Sequence, residues 1–180
     1  MLSLGSFLIS GAAVTINQII ERNLDALMKR TSERPLPTTK ITHQEAIIYG
    51  TVVFFIGAFL VAYNTNIFAI TLAVLSLIIY AFMYTPLKRV GPIAVFIGAI
   101  PGALPPLIGW VAATNTLSYE AWIIFGIQFI WQFPHFWAIA WVSDDDYKKA
   151  GFKLLPGSGK KDLNTAINIC LLYTSPSPRD

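Results

Sequence analysis

The chain has 180 residues, of which 54% are hydrophobic and only 13% charged, with a formal net charge of +3. That charged share is about half of what an ordinary soluble domain carries. The apolar residues also come in long runs rather than on one face of each helix, so the composition argues against a soluble globular fold. The basic residues sit in a few loops, which ties the small positive charge to membrane topology and an anionic substrate and argues against nucleic-acid binding.

Five stretches, 2–20, 46–63, 67–85, 93–113 and 121–142, are long enough to cross a hydrocarbon core of ~30 Å, which takes about 20 helical residues. They predict an all-α, polytopic transmembrane bundle over residues 1–169. A signal peptide is the alternative for the first stretch, but no Lys or Arg precedes it to form the charged n-region. The basic residues test the topology. They fall between the first and second stretches (Arg22, Lys29, Arg30, Arg34, Lys40), between the third and fourth (Lys88, Arg89), and after the fifth (Lys148, Lys149, Lys153, Lys160, Lys161). The two remaining connections contain none. This strict alternation fits five successive crossings with the basic loops on the cytoplasmic side of a bacterial inner membrane.

The first stretch runs into NQIIERNLDALMKRTSERP, residues 17–35, and its pattern predicts helix up to Pro35. Asn17, Glu21 and Asp25 are spaced i, i+4, i+8 and share one helix face, with Arg22 and Lys29 beside it and Arg30 and Arg34 following. An amide and two carboxylates at a membrane surface are costly unless solvated or coordinated. Hard oxygen ligands of this kind suit Mg²⁺, which takes one or two carboxylates together with substrate phosphates. The neighbouring Arg and Lys groups can hold phosphate oxygens directly. A solvated helix end laced with ion pairs is the plainer reading.

In the fourth stretch Pro101, Pro105 and Pro106 alternate with Gly98, Gly102 and Gly109, which predicts a kinked helix and close helix packing. In the fifth, His135 interrupts an apolar run. An intramembrane ionisable residue of this kind suits a functional contact facing the bundle interior, or else a bond to a carbonyl freed by Pro134. His43 lies in a polar loop and is expected to be solvated. Trp122, Trp131, Trp137 and Trp141 suit an interfacial belt, although Trp131 and Trp137 fall mid-helix and could line a pocket. Residues 142–156, VSDDDYKKAGFKLLP, then place Asp144, Asp145 and Asp146 side by side, followed by Lys148, Lys149 and Lys153. A divalent cation relieves the repulsion within such a run, and the plainer reading is a solvated charge run. Both acidic clusters lie at the same end of the expected bundle. Two carboxylate sets facing one cavity suit ionisation of a diphosphate, with an apolar bundle excluding water from the resulting cation.

The Asn17, Glu21, Asp25 run resembles the first aspartate-rich motif of the UbiA prenyltransferase superfamily, and Asp144, Asp145 and Asp146 fall where the second stands. Gln18 replaces an acid that many members carry, and Glu21 stands where many have aspartate. Both departures are typical of the haem-farnesylating branch. Further strings are similar to that branch: DALMKRTSERPL (25–36), YTPLKR (84–89), GALPPLIGW (102–110), PHFWAIAW (134–141) and DDYKKAGFKLLP (145–156). The resemblance covers nearly all of residues 1–169. It implies a nine-helix bundle, of which this chain would lack the first helix and the last few and so be inactive by itself. It also implies farnesyl transfer from farnesyl diphosphate to a vinyl group of haem B, with water completing the hydroxyethyl group of haem O. Asn17, Glu21, Asp25, Asp145 and Asp146 would hold Mg²⁺ and the diphosphate. Arg22, Lys29, Arg30, Arg34, Lys88 and Arg89 would bind the diphosphate oxygens, and His135 would contact haem. An aromatic quinone precursor is the alternative acceptor. An ion-coupled transporter is the alternative class, but it predicts carboxylates at mid-membrane and an inverted repeat, and neither is evident.

The end, CLLYTSPSPRD (170–180), breaks abruptly from an apolar helix start to a Ser/Pro-rich stretch and resembles a translated sequencing adapter. The lone Cys170 then carries no functional information. Sequencing several independent clones across codon 169 should show a natural gene that diverges there; recovery of the same eleven codons in genomic DNA would overturn the adapter reading.

Overall fold

The computed structural model describes residues 1–155; the 170–180 segment, and with it the adapter reading, lies outside the described residues. Five long helices follow one another: α1 (Leu2–Asp25), α2 (His43–Asn64), α3 (Ile67–Leu87), α4 (Ile93–Thr114) and α5 (Tyr119–Val142). A short helix, α6 (Asp144–Lys149), follows. No strand occurs among the described residues. The long helices have 21 to 24 residues, or about 32–36 Å at 1.5 Å per residue, enough to cross a bilayer core. Their outward faces carry large apolar side chains such as Ile48, Phe55, Phe59 and Ile127. A surface of that kind suits hydrocarbon far better than water.

The helix ends follow local chemistry. Thr42 and Glu45 form a reciprocal capping box at the start of α2. The Asn66 side chain accepts from the Ala69 N–H to cap α3, while its amide donates to the Val111 carbonyl of α4 at 2.7 Å. Asn115 ends α4 in the left-handed conformation, a role this residue type tolerates. Pro35 does not mark the end of α1, because the helix stops ten residues earlier, at Asp25. The chain then makes a series of turns from 26 to 41. Thr31 donates to the Asp25 carbonyl at 2.9 Å and Arg34 to the Asp25 carboxylate at 2.8 Å. Their pull folds the segment back over the end of α1.

Packing runs in an arc: α2 on α1, α1 on α3, α3 on α4, and α4 on α5. The α1–α2 crossing is close because glycines meet there. A Cβ placed on Gly57 would lie 2.9 Å from the Gly5 carbonyl oxygen and 2.9 Å from Leu8 Cβ. On α4, Gly98 accommodates the Tyr84 ring and Gly102 the Gln132 amide, which donates to the Gly102 carbonyl at 3.0 Å. Gly109, by contrast, has open space where a Cβ would stand, so it serves no helix packing here. The middle of α3 departs from α-helical bonding. Residues Ile79–Tyr84 form a π-helical turn, closed by the Thr85 N–H bonding to the Tyr80 carbonyl. Pro86 lies just beyond it. A proline ring crowds the carbonyl four residues back, and widening the preceding turn relieves that clash.

The Gly57→Val protein should be destabilised by about 1–3 kcal/mol, the scale of overpacking against atoms that cannot yield. Its apparent Tm in detergent should fall, while that of Gly126→Ala, where nothing lies within 4 Å of the new methyl, stays near wild type.

Candidate functional site

The end of the bundle that carries the basic segments contains a chamber of about 250 Å³. Asn17, Glu21 and Asp25 enter it from α1, Tyr80, Tyr84 and Lys88 from α3 and the residue after it, and Arg30 and Arg34 from the turns that follow α1. Phe136 of α5, Tyr147 of α6 and Phe152 are among the apolar and aromatic residues that also line it. The helical spacing of Asn17, Glu21 and Asp25 puts all three on the inward face, where each is buried.

Burial makes their pairing decisive. The Lys88 ammonium donates to Glu21 Oε2 at 2.9 Å, and the Asn17 amide donates to the same oxygen at 2.9 Å. The other amide bond of Asn17 runs to Thr85 Oγ1 at 3.0 Å, and Thr85 donates in turn to the Tyr80 carbonyl at 2.9 Å. The π turn thus presents a carbonyl that anchors the network. Asp25 pairs with Arg34 at 2.8 Å. Burial pulls the Lys88 ammonium below the usual lysine range, while Glu21 acts in the opposite direction. One acceptor is left over: Glu21 Oε1 is buried and has no hydrogen-bond partner among the described residues.

The second acidic cluster meets the first through the backbone. Asp146 Oδ2 accepts from the Arg30 N–H at 3.2 Å. Desolvation works against it, but the Arg30 and Lys29 backbone N–H groups and the Lys149 ammonium hold the Asp146 carboxyl below its ordinary range. This tie is therefore fully formed above the ordinary Asp pKa and is lost as pH falls through the depressed one. Asp144 is buried and pairs with Lys148 at 2.7 Å, whereas Asp145 is exposed. Among the residues expected to bind diphosphate, Arg30, Arg34 and Lys88 line the chamber. Arg22, Lys29 and Arg89 do not. His135 is half-buried, stacks on Trp131 with centroids 4.9 Å apart, and lies outside the chamber wall. Among the described residues no three His, Cys, Asp or Glu side chains converge as a ready-made metal cage.

A second chamber of about 500 Å³ lies deeper in the bundle, lined mainly by apolar surface of α1, α3 and α4, including Ile9, Ala13, Leu77 and Gly109. It shares Tyr80 and Phe136 with the charged chamber. Tyr80, Thr85 and Phe136 escaped the sequence reading. The YTPLKR and PHFWAIAW strings contain Thr85 and Phe136 without marking either as a site residue, and no quoted string contains Tyr80.

The buried pair gives a stability test. Lys88→Met leaves the Glu21 carboxylate without its cation and should cost about 3–5 kcal/mol. Adding Glu21→Gln removes the stranded charge and should recover most of that loss in thermal melts. A double variant no more stable than Lys88→Met would mean the pair is not coupled.

A profile of the UbiA prenyltransferase family matches residues 1–176. The chain is 54% identical over 171 residues to a protein of Cytophaga hutchinsonii called protoheme IX farnesyltransferase, covering 95% of this chain and 59% of that protein. A protein of the same name from Christiangramia forsetii is 48% identical over 174 residues, covering 97% of this chain and 57% of that one. The mitochondrial protoheme IX farnesyltransferase of Arabidopsis thaliana is 41% identical over 169 residues, covering 92% and 39%. The chain thus spans about three-fifths of the length of the two bacterial relatives. No solved structure matches it. With the family profile covering nearly the whole chain, and the buried acidic face of α1 within the match, the chain belongs to the UbiA prenyltransferase family.

Proposed function

We propose that the protein carrying this chain transfers a farnesyl group from farnesyl diphosphate to a vinyl carbon of haem B, forming haem O. The observation that carries this reading is the junction of a small charged chamber with a larger apolar one. That shape and polarity fit an amphiphile with an anionic head and a long isoprenoid tail. The relatives' shared name supplies the acceptor.

Arg30, Arg34 and Lys88 hold the diphosphate oxygens, with Arg22, Lys29 and Arg89 adding positive potential from outside the chamber wall. The C1–O bond of the farnesyl group breaks and its electron pair leaves with the diphosphate. The haem vinyl π electrons then form the new C–C bond, and water adds at the adjacent carbon and loses a proton. The apolar walls keep other water from the allylic cation.

The residues present fit Mg²⁺. Glu21 Oε1 is a buried acceptor with no partner among the described residues. Of the described residues, three cations and two carboxylates line the chamber. A fully ionised diphosphate ester brings about three negative charges, so one divalent ion restores neutrality at such a site. Asn17, Glu21 and Asp25 would hold the metal, and Asp146, bound to the Arg30 backbone, with its sequence neighbour Asp145 would provide a second set. When bound, Mg²⁺ stabilises charge on the departing diphosphate. His135, stacked on Trp131 away from the charged chamber, is assigned to contact with the haem acceptor. The basic segments face the cytoplasm of a bacterial inner membrane, and the apolar outer faces of the helices contact lipid.

Mass spectrometry of haem tests this. The complete gene product, in membranes supplied with haem B, farnesyl diphosphate and Mg²⁺, should yield haem heavier by one farnesyl plus one hydroxyl group. Asp25→Ala or removal of divalent ions should lower the yield at least 100-fold, the scale of losing electrostatic stabilisation of a leaving group. A prenylated aromatic acid in place of prenylated haem would move the acceptor assignment to a quinone precursor.

A further inference from the structure

We propose that Tyr80 and Phe136 are catalytic residues whose rings flank the allylic C1 atom and stabilise the cation formed when the C1–O bond breaks. This rests on the prenyl-transfer reading above. The argument is one of position. The diphosphate belongs in the charged chamber and the isoprenoid tail in the apolar one, so the bond between them must lie where the chambers meet. Among the described residues only Tyr80 and Phe136 line both. As the leaving group departs with its electron pair, positive charge spreads over C1 and C3 at that seam. The negative face of an aromatic ring attracts such charge most strongly where water is absent.

The surroundings hold both rings in place. Tyr84 packs against both, its ring centroid 5.6 Å from Tyr80 and 5.6 Å from Phe136. Gly98 leaves room for the Tyr84 ring. The Lys88 ammonium sits 4.9 Å from the Tyr84 ring centroid, so that ring is already engaged by a cation. The backbone of Tyr80 is fixed by the Thr85 hydroxyl and by the π turn. Among the described residues no carboxylate lines the apolar chamber to recapture the cation.

The test uses the complete gene product in liposomes with Mg²⁺ and farnesyl diphosphate carrying heavy oxygen at the bridging position. Scrambling of that label into non-bridging positions reports ionisation without any acceptor, and haem prenylation is followed in parallel. Phe136 is replaced in turn by mono-, di- and trifluorophenylalanine, which keep the ring's shape and drain its face of negative charge. Ionisation should slow stepwise, by roughly tenfold over the series, the scale of a desolvated cation–π contact. The KM for the diphosphate should stay constant. Tyr80→Phe should keep most of the rate and Tyr80→Leu should lose it. A rate that does not change along the fluorine series would overturn the proposal. Scrambling without any haem product would refute the haem reading while the series still decides the role of the rings. With neither scrambling nor product, both would fall.

Discussion

The described structure turns on the cost of placing charged groups inside an apolar bundle. Glu21 and Asp25 are buried, and an isolated carboxylate there would be strongly unfavourable. Each is matched by one cation brought from elsewhere in the chain, Lys88 from just beyond α3 and Arg34 from the turns after α1. Those two pairings dictate much of the local architecture. The segment after Asp25 must double back rather than extend the helix, and α3 must deliver Lys88 to the same place as Asn17. Even so, one Glu21 oxygen has no partner among the described residues. Leaving a buried acceptor unsatisfied costs about 1–3 kcal/mol in typical proteins. Such a site is most stable with a cation or donor in it, which is what a binding site for a metal and an anion requires.

The π turn in α3 serves the same end. It widens the helix ahead of Pro86, leaves the Tyr80 carbonyl to the Thr85 backbone and hydroxyl, and so places Thr85 Oγ1 to receive the Asn17 amide. Asn17 in turn spans Thr85 and Glu21. A backbone irregularity and a side-chain network are therefore one construction: removing the widened turn would move both Tyr80 and Lys88. The glycines on α4 act alongside it. Gly98 admits the Tyr84 ring, and that ring packs on Phe136, so α3, α4 and α5 meet at a single aromatic contact.

The helices and the α1 face were legible from the sequence because both depend on local periodicity. Apolar length set the spans to within a few residues, as with 93–113 against Ile93–Thr114. The i, i+4, i+8 spacing placed Asn17, Glu21 and Asp25 together because α1 is regular up to Asp25. The end of α1 was misjudged because proline is a local signal, whereas the helix stops where Thr31 and Arg34 return to Asp25 through tertiary contacts. In the same way, composition could not separate the cations. Arg30 and Arg34 line the charged chamber and Lys29 does not, although Arg30 and Lys29 are both exposed. Three adjacent aspartates looked equivalent, yet Asp144 is buried on Lys148, Asp145 is exposed and Asp146 ties down the Arg30 backbone. The widths of chambers and their shared walls depend on side chains from four helices, and no window of sequence contains that information. Tyr80 and Phe136, 56 positions apart, carried no common signal for that reason.

On the proposed reading, the two chambers divide binding from acceleration. Burying an isoprenoid tail is worth about 0.8 kcal/mol per methylene before costs, so the apolar chamber can supply most of the affinity. Affinity that is equal in the ground and transition states does not speed bond breaking. The tail chamber contributes to rate only by fixing where C1 stops, and it can do so because its walls are helix faces packed through glycines and small side chains rather than loops. The charged chamber supplies the differential part, since charge on the diphosphate grows as the bond breaks and its cations are already oriented. The buried Glu21–Lys88 pair then has a further use. It holds one cation rigid beside the leaving group, where a free, solvated lysine would have to reorganise during the reaction. A network that looks expensive in folding terms is, by this account, the preorganised part of the site.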